Sequence, residues 1–128
     1  MKKFVLAAII ASAPVLAHAD DVFGVWQTTK DDNGNYGHIE MKACGDKICG
    51  QLIKSFDSDG NPMQTENTGK MLIQNMVNEG DGKYGGGTAY SPDRDKTYKG
   101  KLLLQGDKLT VKGCVGPICR AGGTWSRL

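Results

Sequence analysis

The sequence predicts an all-β fold, a small antiparallel up-and-down β-barrel or a sandwich, with about eight strands. Two observations predict this class. Short runs rich in β-branched and aromatic residues recur along the chain, and turn-forming segments separate them. Beyond residue 19, no apolar repeat has helical spacing. A barrel is favoured because a chain with few apolar residues gains from a fold without bare strand edges.

The N-terminal segment has the three parts of an export signal. Lys2 and Lys3 precede an apolar run at residues 4–11, and residues 17–19 form a small-x-small cleavage site. The apolar run is too short to span a bilayer. We therefore predict an export signal at residues 1–19 with cleavage after Ala19, a single domain at residues 20–128, no membrane span, and a periplasmic or secreted location.

Removal of this segment changes the charge. Lys2 and Lys3 are lost from the 16 basic residues of the whole chain, so the mature chain keeps 14 basic and 14 acidic residues and has no net charge. Its apolar fraction is below the 39% of the whole chain, because the signal is rich in apolar residues. A neutral chain of this length is not typical of a polybasic nucleic-acid binder or a multidomain enzyme. We predict a monomer that binds no nucleic acid.

The predicted strands follow one another with mostly tight turns. Gln105-Gly106-Asp107, between two apolar strands, indicates a hairpin. Residues 57–70 are rich in Asp, Asn and Gly, and we expect a loop over one end, with a helical turn at residues 68–72. The predicted strands are residues 22–28, 36–43, 49–56, 72–78, 84–90, 97–104, 108–114 and 120–127.

Alternating side chains support half-buried strands. Ile39 and Met41 share one face with Ala43, whereas His38 shares the other face with polar neighbours. The glycine run at residues 85–87 is expected to permit a bend or bulge. It does not resemble a phosphate-binding loop, because no helix follows it.

Four cysteines form two C-x4-C pairs, and each pair encloses turn residues. In an oxidising compartment an even number of cysteines favours disulfides. Cysteines that flank a hairpin loop face each other, so we favour 44–49 and 114–119 over the two crossed pairings. Reduced thiols and a four-thiolate zinc site are disfavoured alternatives, because zinc sites prefer C-x2-C spacing. The four residues are Cys44, Cys49, Cys114 and Cys119.

A resemblance to known proteins is present at the two ends of the mature chain. Gly24-Val25-Trp26 opens it and Trp125-Ser126-Arg127 closes it. This arrangement resembles the calycin signature of lipocalins, fatty-acid-binding proteins and avidins. The resemblance implies that Arg127 packs across the indole of Trp26 and helps to close the barrel.

A fuller resemblance covers nearly the whole mature chain. The sequence is similar to an exported bacterial family named domain of unknown function 2147, which implies a fold and a location but no activity. Tyr84 and Ser91 stand where Trp and Asp are expected, so no carboxylate role is assigned to that turn. The matching segments are residues 24–28, 44–50, 80–87, 90–92, 96–102, 111–114 and 124–127.

The usual catalytic constellations are missing, so we predict a protein without catalytic residues, cofactor or metal. His38 is the only histidine of the mature chain. The Asp57–Asn61 segment lacks the Gly and Glu of an EF-hand, because Pro62 and Thr68 occupy those positions. Glu40 and Glu66 receive no role.

Aromatic residues on separate strands are the best candidates for ligand contact, because Tyr and Trp combine apolar area with a polar tip. We expect a binding module for a small apolar or amphipathic ligand. The alternative is an envelope protein-interaction module, similar to small periplasmic inhibitors of lysozymes, that uses residues 57–70. An enzyme is the least favoured alternative. The expected pocket residues are Tyr36, His38, Tyr90, Tyr98, Arg120 and Trp125.

Overall fold

A computed structural model of the protein describes residues 20–128. The predicted export signal lies outside these residues. Within the described range, no helix is long and apolar enough to cross a membrane.

Nine strands form one antiparallel sheet. Eight of them close into a barrel, because β1 pairs with both β2 and β9, and β2 in turn pairs with β3. The ninth, β4, pairs only with the end of β3. The strands are β1 Gly24–Gln27, β2 Tyr36–Cys44, β3 Lys47–Phe56, β4 Pro62–Met63, β5 Met71–Gly80, β6 Lys83–Ser91, β7 Lys96–Gln105, β8 Lys108–Val115 and β9 Ile118–Arg127.

The predicted barrel is confirmed, and each predicted strand is present with small differences at its ends. Two details of the prediction were wrong. Residues 66–69 form a hydrogen-bonded turn and not a helical one, and the loop at 57–70 contains the short strand β4. β4 was missed because its two residues are too few to show alternation.

Glycine determines two local features of the barrel. Gly106 lies in the two-residue loop between β7 and β8 at φ +60°, a conformation that such tight hairpin loops require. The run Gly85–Gly87 forms a bulge, since the β6–β7 register shifts between Tyr84 and Gly87. A Cβ atom at Gly87 would lie 2.1 Å from the carbonyl oxygen of Gln74, so no larger residue fits there.

Large apolar side chains fill one half of the barrel, which we call the closed end. It carries the β2–β3, β5–β6 and β7–β8 turns and both ends of the described chain. The largest side chains that are almost completely buried are Trp26, Tyr84, Ile39, Met41, Ile73, Met76, Leu109 and Val22.

Arg127 fastens the closed end. Its guanidinium carbon lies 4.3 Å from the ring centroid of Trp26, and its NH groups donate to the carbonyl oxygens of Asp21 and Phe23. It also forms an ion pair of 3.4 Å with Asp107. The cation therefore joins the last strand to the indole of β1 and to the segment that precedes β1.

This N-terminal segment acts as a plug across the closed end. Val22 is completely buried, and its carbonyl oxygen accepts a hydrogen bond from the Trp26 indole. Tyr84 donates its hydroxyl hydrogen to the Asp20 carboxylate at 2.6 Å. Burial, followed by this bond and the nearby carboxylates, raises the pKa of Tyr84 above its ordinary value. The hydroxyl is therefore a stable donor at neutral pH.

Both disulfides have the favoured pairing. Cys44–Cys49 clips the β2–β3 hairpin at the closed end, and Cys114–Cys119 clips the β8–β9 hairpin at the opposite, open end. Cys114 and Cys119 are direct partners in the strand register.

We predict that Arg127→Met lowers the free energy of unfolding by about 2 kcal/mol, because it removes a partly buried cation–π contact and two hydrogen bonds. Urea unfolding measures this change. The control is Arg94→Met, since Arg94 is exposed on a turn. Equal stability of the two variants would contradict a structural role for Arg127.

Candidate functional site at the open end of the barrel

A cavity of about 830 Å³ occupies the open end. This volume lies within the range of about 300–1,000 Å³ that is usual for small-molecule sites. The cavity lies inside the strands, above Trp125, and reaches the loops that join β1 to β2, β3 to β5, β6 to β7 and β8 to β9. It is therefore a pocket within the barrel and not a groove on its surface.

Small inward residues line part of this space. An eight-stranded barrel has an interior that large side chains can just fill. At the open end, five strands contribute a glycine, alanine or serine to the lining, among them Gly37 of β2, Ser55 of β3, Ala89 of β6, Gly113 of β8 and Ala121 of β9. The Tyr98 ring lies against Gly113, where a Cβ atom would be 3.2 Å from it.

The floor of the cavity is apolar. Ile73, Ala89, Val111 and Trp125 are all at least nine-tenths buried and belong to the core of the barrel. Trp125 and Leu109 mark the boundary with the filled half, because Leu109 is the register partner of Trp125 and is completely buried. A ligand in the cavity would therefore place apolar surface at this depth.

One wall of the cavity is a short hydroxyl-rich loop. Ser55 and Thr68 are 2.9 Å apart through their hydroxyl oxygens, and the Thr65 hydroxyl lies 3.1 Å from that of Thr68. The backbone of this loop is joined to Leu52 by two hydrogen bonds, from Gly69 N–H to the Leu52 oxygen and from Leu52 N–H to the Lys70 oxygen. The loop thus extends the sheet between β3 and β5.

The rim of the cavity is polar and carries basic and acidic side chains. Arg94, Lys96 and Arg120 contribute the basic side chains, and Asp31 and Asp93 the acidic ones. Arg120 is the register partner of Gly113, so it lies on the strand face that lines the cavity. The rim can therefore hold a polar or charged group above an apolar floor.

Five of the six expected pocket residues line the cavity, and they differ in depth. Trp125 lies at the floor, and Tyr98 and Arg120 lie on cavity-facing strand positions. Tyr90 lies at the rim, where its hydroxyl donates to Asp95 at 2.6 Å. This bond raises the pKa of Tyr90. Tyr36 also borders the rim.

The prediction that His38 lies in the pocket was wrong. Its neighbours Gly37 and Ile39 are buried inside the barrel, so strand alternation places His38 on the outer face. There its ring is 4.6 Å from the Phe56 ring and 3.3 Å from the Gln27 amide oxygen. Burial and the nearby Lys54 lower the pKa of His38.

The apolar floor of the cavity was not predicted from the sequence. Ile73, Ala89 and Val111 carry no functional group, and an inward apolar residue has the same pattern whether it packs a core or borders a cavity. A signal did exist in the small residues Gly37, Ala89 and Gly113, which occupy inward positions on three strands. The structure was needed to show that they line one cavity.

A second, smaller cleft of about 400 Å³ lies at the closed end, beside Asp21, Asp81 and Arg127. Its cation is already engaged by the carbonyls of the plug. The opening is therefore a surface feature of the barrel closure.

The acidic side chains offer no metal site. Across residues 20–128, no group of three or more His, Cys, Asp or Glu side chains could hold a metal ion. The Asp57 carboxylate is used by its own turn, where it accepts from the N–H groups of Asp59 and Asn61. Those bonds lower its pKa.

Residues 24–127 match the family described as an uncharacterised protein conserved in bacteria, domain of unknown function 2147. The chain belongs to this family. Among proteins of curated function, none matches its sequence. The family is described as conserved in bacteria, and its description names no activity. The resemblance noted from the sequence motifs is confirmed.

A solved structure has the same fold. The protein HP1028 of Helicobacter pylori, described as belonging to the lipocalin family, is similar with a TM-score of 0.65 and 19% sequence identity. The match covers 86% of this chain and 84% of that one. The barrel of this family member is thus lipocalin-like, in agreement with the Trp26–Arg127 contact.

We predict that the pKa of His38 lies below its ordinary value of 6.5. Because the folded state disfavours the proton, the unfolded chain binds more protons below pH 6.5, and the contribution of His38 to stability is lost as pH falls through the folded pKa. It is fully present above pH 6.5. An NMR titration of the imidazole measures the pKa.

Lys54→Gln should raise this pKa, whereas Lys47→Gln, at the other end of β3, should leave it unchanged. Identical titrations in the wild type and Lys54→Gln would show that Lys54 does not act on the ring.

Proposed function

We propose that this protein binds a small amphipathic molecule in the open-end cavity and acts as a carrier or sensor without catalysis. The observation that carries the proposal is the cavity itself: about 830 Å³ within a lipocalin-like barrel whose other half is filled. A barrel that served only as a scaffold would be more stable with that space packed, because an empty cavity loses contacts.

The distribution of polarity supports an amphipathic ligand. Ile73, Val111 and Trp125 would contact its apolar part, and desolvation of that part drives binding. Two further residues, Tyr98 and Arg120, lie higher on the walls and offer hydroxyl and guanidinium groups to its polar end. Arg120 makes no ion pair within the described part of the chain, so an anionic or strongly polar end would find a donor there.

We propose a periplasmic location for this activity. Two disulfides fit an oxidising compartment, and the export signal predicted for residues 1–19 would deliver the chain there. In that compartment, a carrier would shield the apolar part of its ligand from water.

The alternative, an interaction module that inhibits an envelope hydrolase, would use the 57–70 loop as its contact segment. The contacts of this loop favour the binding function instead. Met63, Thr65 and Asn67 line the cavity, and the loop backbone bonds to Leu52. The segment is therefore part of the wall of the pocket.

We predict that Ala89→Phe weakens binding of the apolar fluorescent probe N-phenyl-1-naphthylamine, because Ala89 faces the cavity floor and a phenyl ring would occupy the space above it. Fluorescence titration should show at least about a ten-fold loss of affinity, which corresponds to about 1.4 kcal/mol.

The matched control is Thr88→Phe, one residue away on the outer face. It adds a similar ring without entering the cavity and should bind the probe as the wild type does. Unchanged binding by a folded Ala89→Phe variant would rule out the cavity as the binding site.

A further inference from the structure

The mature chain has zero net charge, yet its charges are divided between two halves. Residues 20–82 contain 11 acidic and 5 basic residues, whereas residues 83–128 contain 9 basic and 3 acidic residues. The strands β6, β7, β8 and β9 carry basic side chains and no acidic one. Because these four strands are neighbours in the sheet, one side of the barrel is strongly basic.

The centre of this side is the lysine face, formed by Lys99, Lys101 and Lys112 on the outer surface of β7 and β8. Lys101 and Lys112 are direct cross-strand partners. Like charges at such positions repel each other and destabilise a sheet. Within residues 20–128, no acidic side chain forms an ion pair with any of the three. An anionic surface outside the protein would remove this repulsion.

An apolar tip adjoins the lysine face. Val115 and Ile118 end β8 and β9, pair with each other, and are 70% and 61% exposed. The Cys114–Cys119 disulfide lies directly behind them, so the tip is held in shape. The basic residues nearest to it along the chain are Lys112 and Arg120. Exposed apolar residues beside basic ones are typical of peripheral membrane contact.

We propose that the lysine face and the apolar tip dock this protein onto the surface of an anionic lipid bilayer. The lysines meet the headgroup charges, and Val115 and Ile118 enter the interfacial region. An anionic polymer would satisfy the lysines but would offer no apolar environment to the tip. The acidic half of a second copy would meet the lysine face in a head-to-tail contact, which leads to open chains of molecules and not to a closed pair.

This docking would place the cavity at the bilayer. Val115 and Ile118 belong to the lining of the cavity mouth. An amphipathic molecule could then pass between the bilayer and the barrel without crossing water. The docking surface is nevertheless independent of the proposed function, because it can be measured with the cavity empty.

Flotation with vesicles tests the proposal. The protein should float with equimolar phosphatidylglycerol and phosphatidylcholine, and should remain behind with phosphatidylcholine alone. Raising the salt from about 0.05 M to about 0.5 M should release it, since the added ions screen the lysines. Equal binding to both kinds of vesicle, or binding that salt does not weaken, would overturn the proposal.

Variants separate the two parts of the surface. The combined variant Lys99→Gln, Lys101→Gln and Lys112→Gln should bind anionic vesicles at least about ten-fold more weakly. The control variant Lys30→Gln, Lys47→Gln and Lys54→Gln removes the same charge from exposed positions on the acidic half and should bind normally. Equal losses in the two variants would show that net charge alone is responsible.

Val115→Ser with Ile118→Ser should weaken binding to anionic vesicles and leave binding to heparin, a soluble polyanion, unchanged. If both fall together, or if neither changes, the tip does not contact lipid and the proposal of a bilayer is wrong. Sedimentation without vesicles completes the test. Self-association that the lysine variant abolishes would assign the face to a second copy.

Discussion

The narrow interior of an eight-stranded barrel limits what this protein can hold inside its sheet. Such an interior has room for one layer of large side chains or for a small ligand, but not for both. In this protein the two ends of the barrel differ: one is filled by side chains and the other contains a cavity. Trp26, Tyr84 and Leu109 fill the closed end, whereas the small side chains of Ser55 and Ala89 border the hollow open end. The choice of side-chain size therefore separates the packed core from the cavity in which we propose that a ligand binds.

The filled half must be closed firmly if the hollow half is to persist. Arg127 joins the last strand to Trp26 of the first strand, and β1 itself pairs with β9 at only two positions. Thr29 extends this short seam, since its hydroxyl donates to the carbonyl oxygen of Thr124 and accepts from the Thr124 N–H. The described part of the plug includes Asp20, which cleavage after Ala19 would retain. The open end then needs no large core of its own.

Alternation and turn chemistry predicted the fold from the sequence because both are local. The Ile39 and Met41 face lies inside as expected, and the paired cysteines flank two hairpins. The site was predicted less well. His38 was assigned to the pocket for its chemistry, although its alternation with Ile39 already placed it outside. The cavity itself depends on how inward residues of several strands pack together in space, and the sequence alone does not give that packing.

The net charge was also an incomplete guide to the surface of the protein. The zero net charge of residues 20–128 argued against a polybasic binder, but it concealed a basic side formed by four neighbouring strands. The separation follows the order of the sequence, because each hairpin places consecutive strands side by side. The excess of acidic residues before residue 83 and of basic residues after it can be counted from the sequence. The barrel topology then places the basic strands side by side.

If the proposed function is right, a ligand enters the hollow half of the barrel and not the filled half. Methyl NMR during titration with N-phenyl-1-naphthylamine distinguishes the two halves. We expect shifts and intermolecular contacts at the methyl groups of Ile73, Ala89 and Val111, with little change at Ile39 and Met41. Shifts confined to the exposed methyl groups of Val115 and Ile118, with none at the cavity floor, would contradict it.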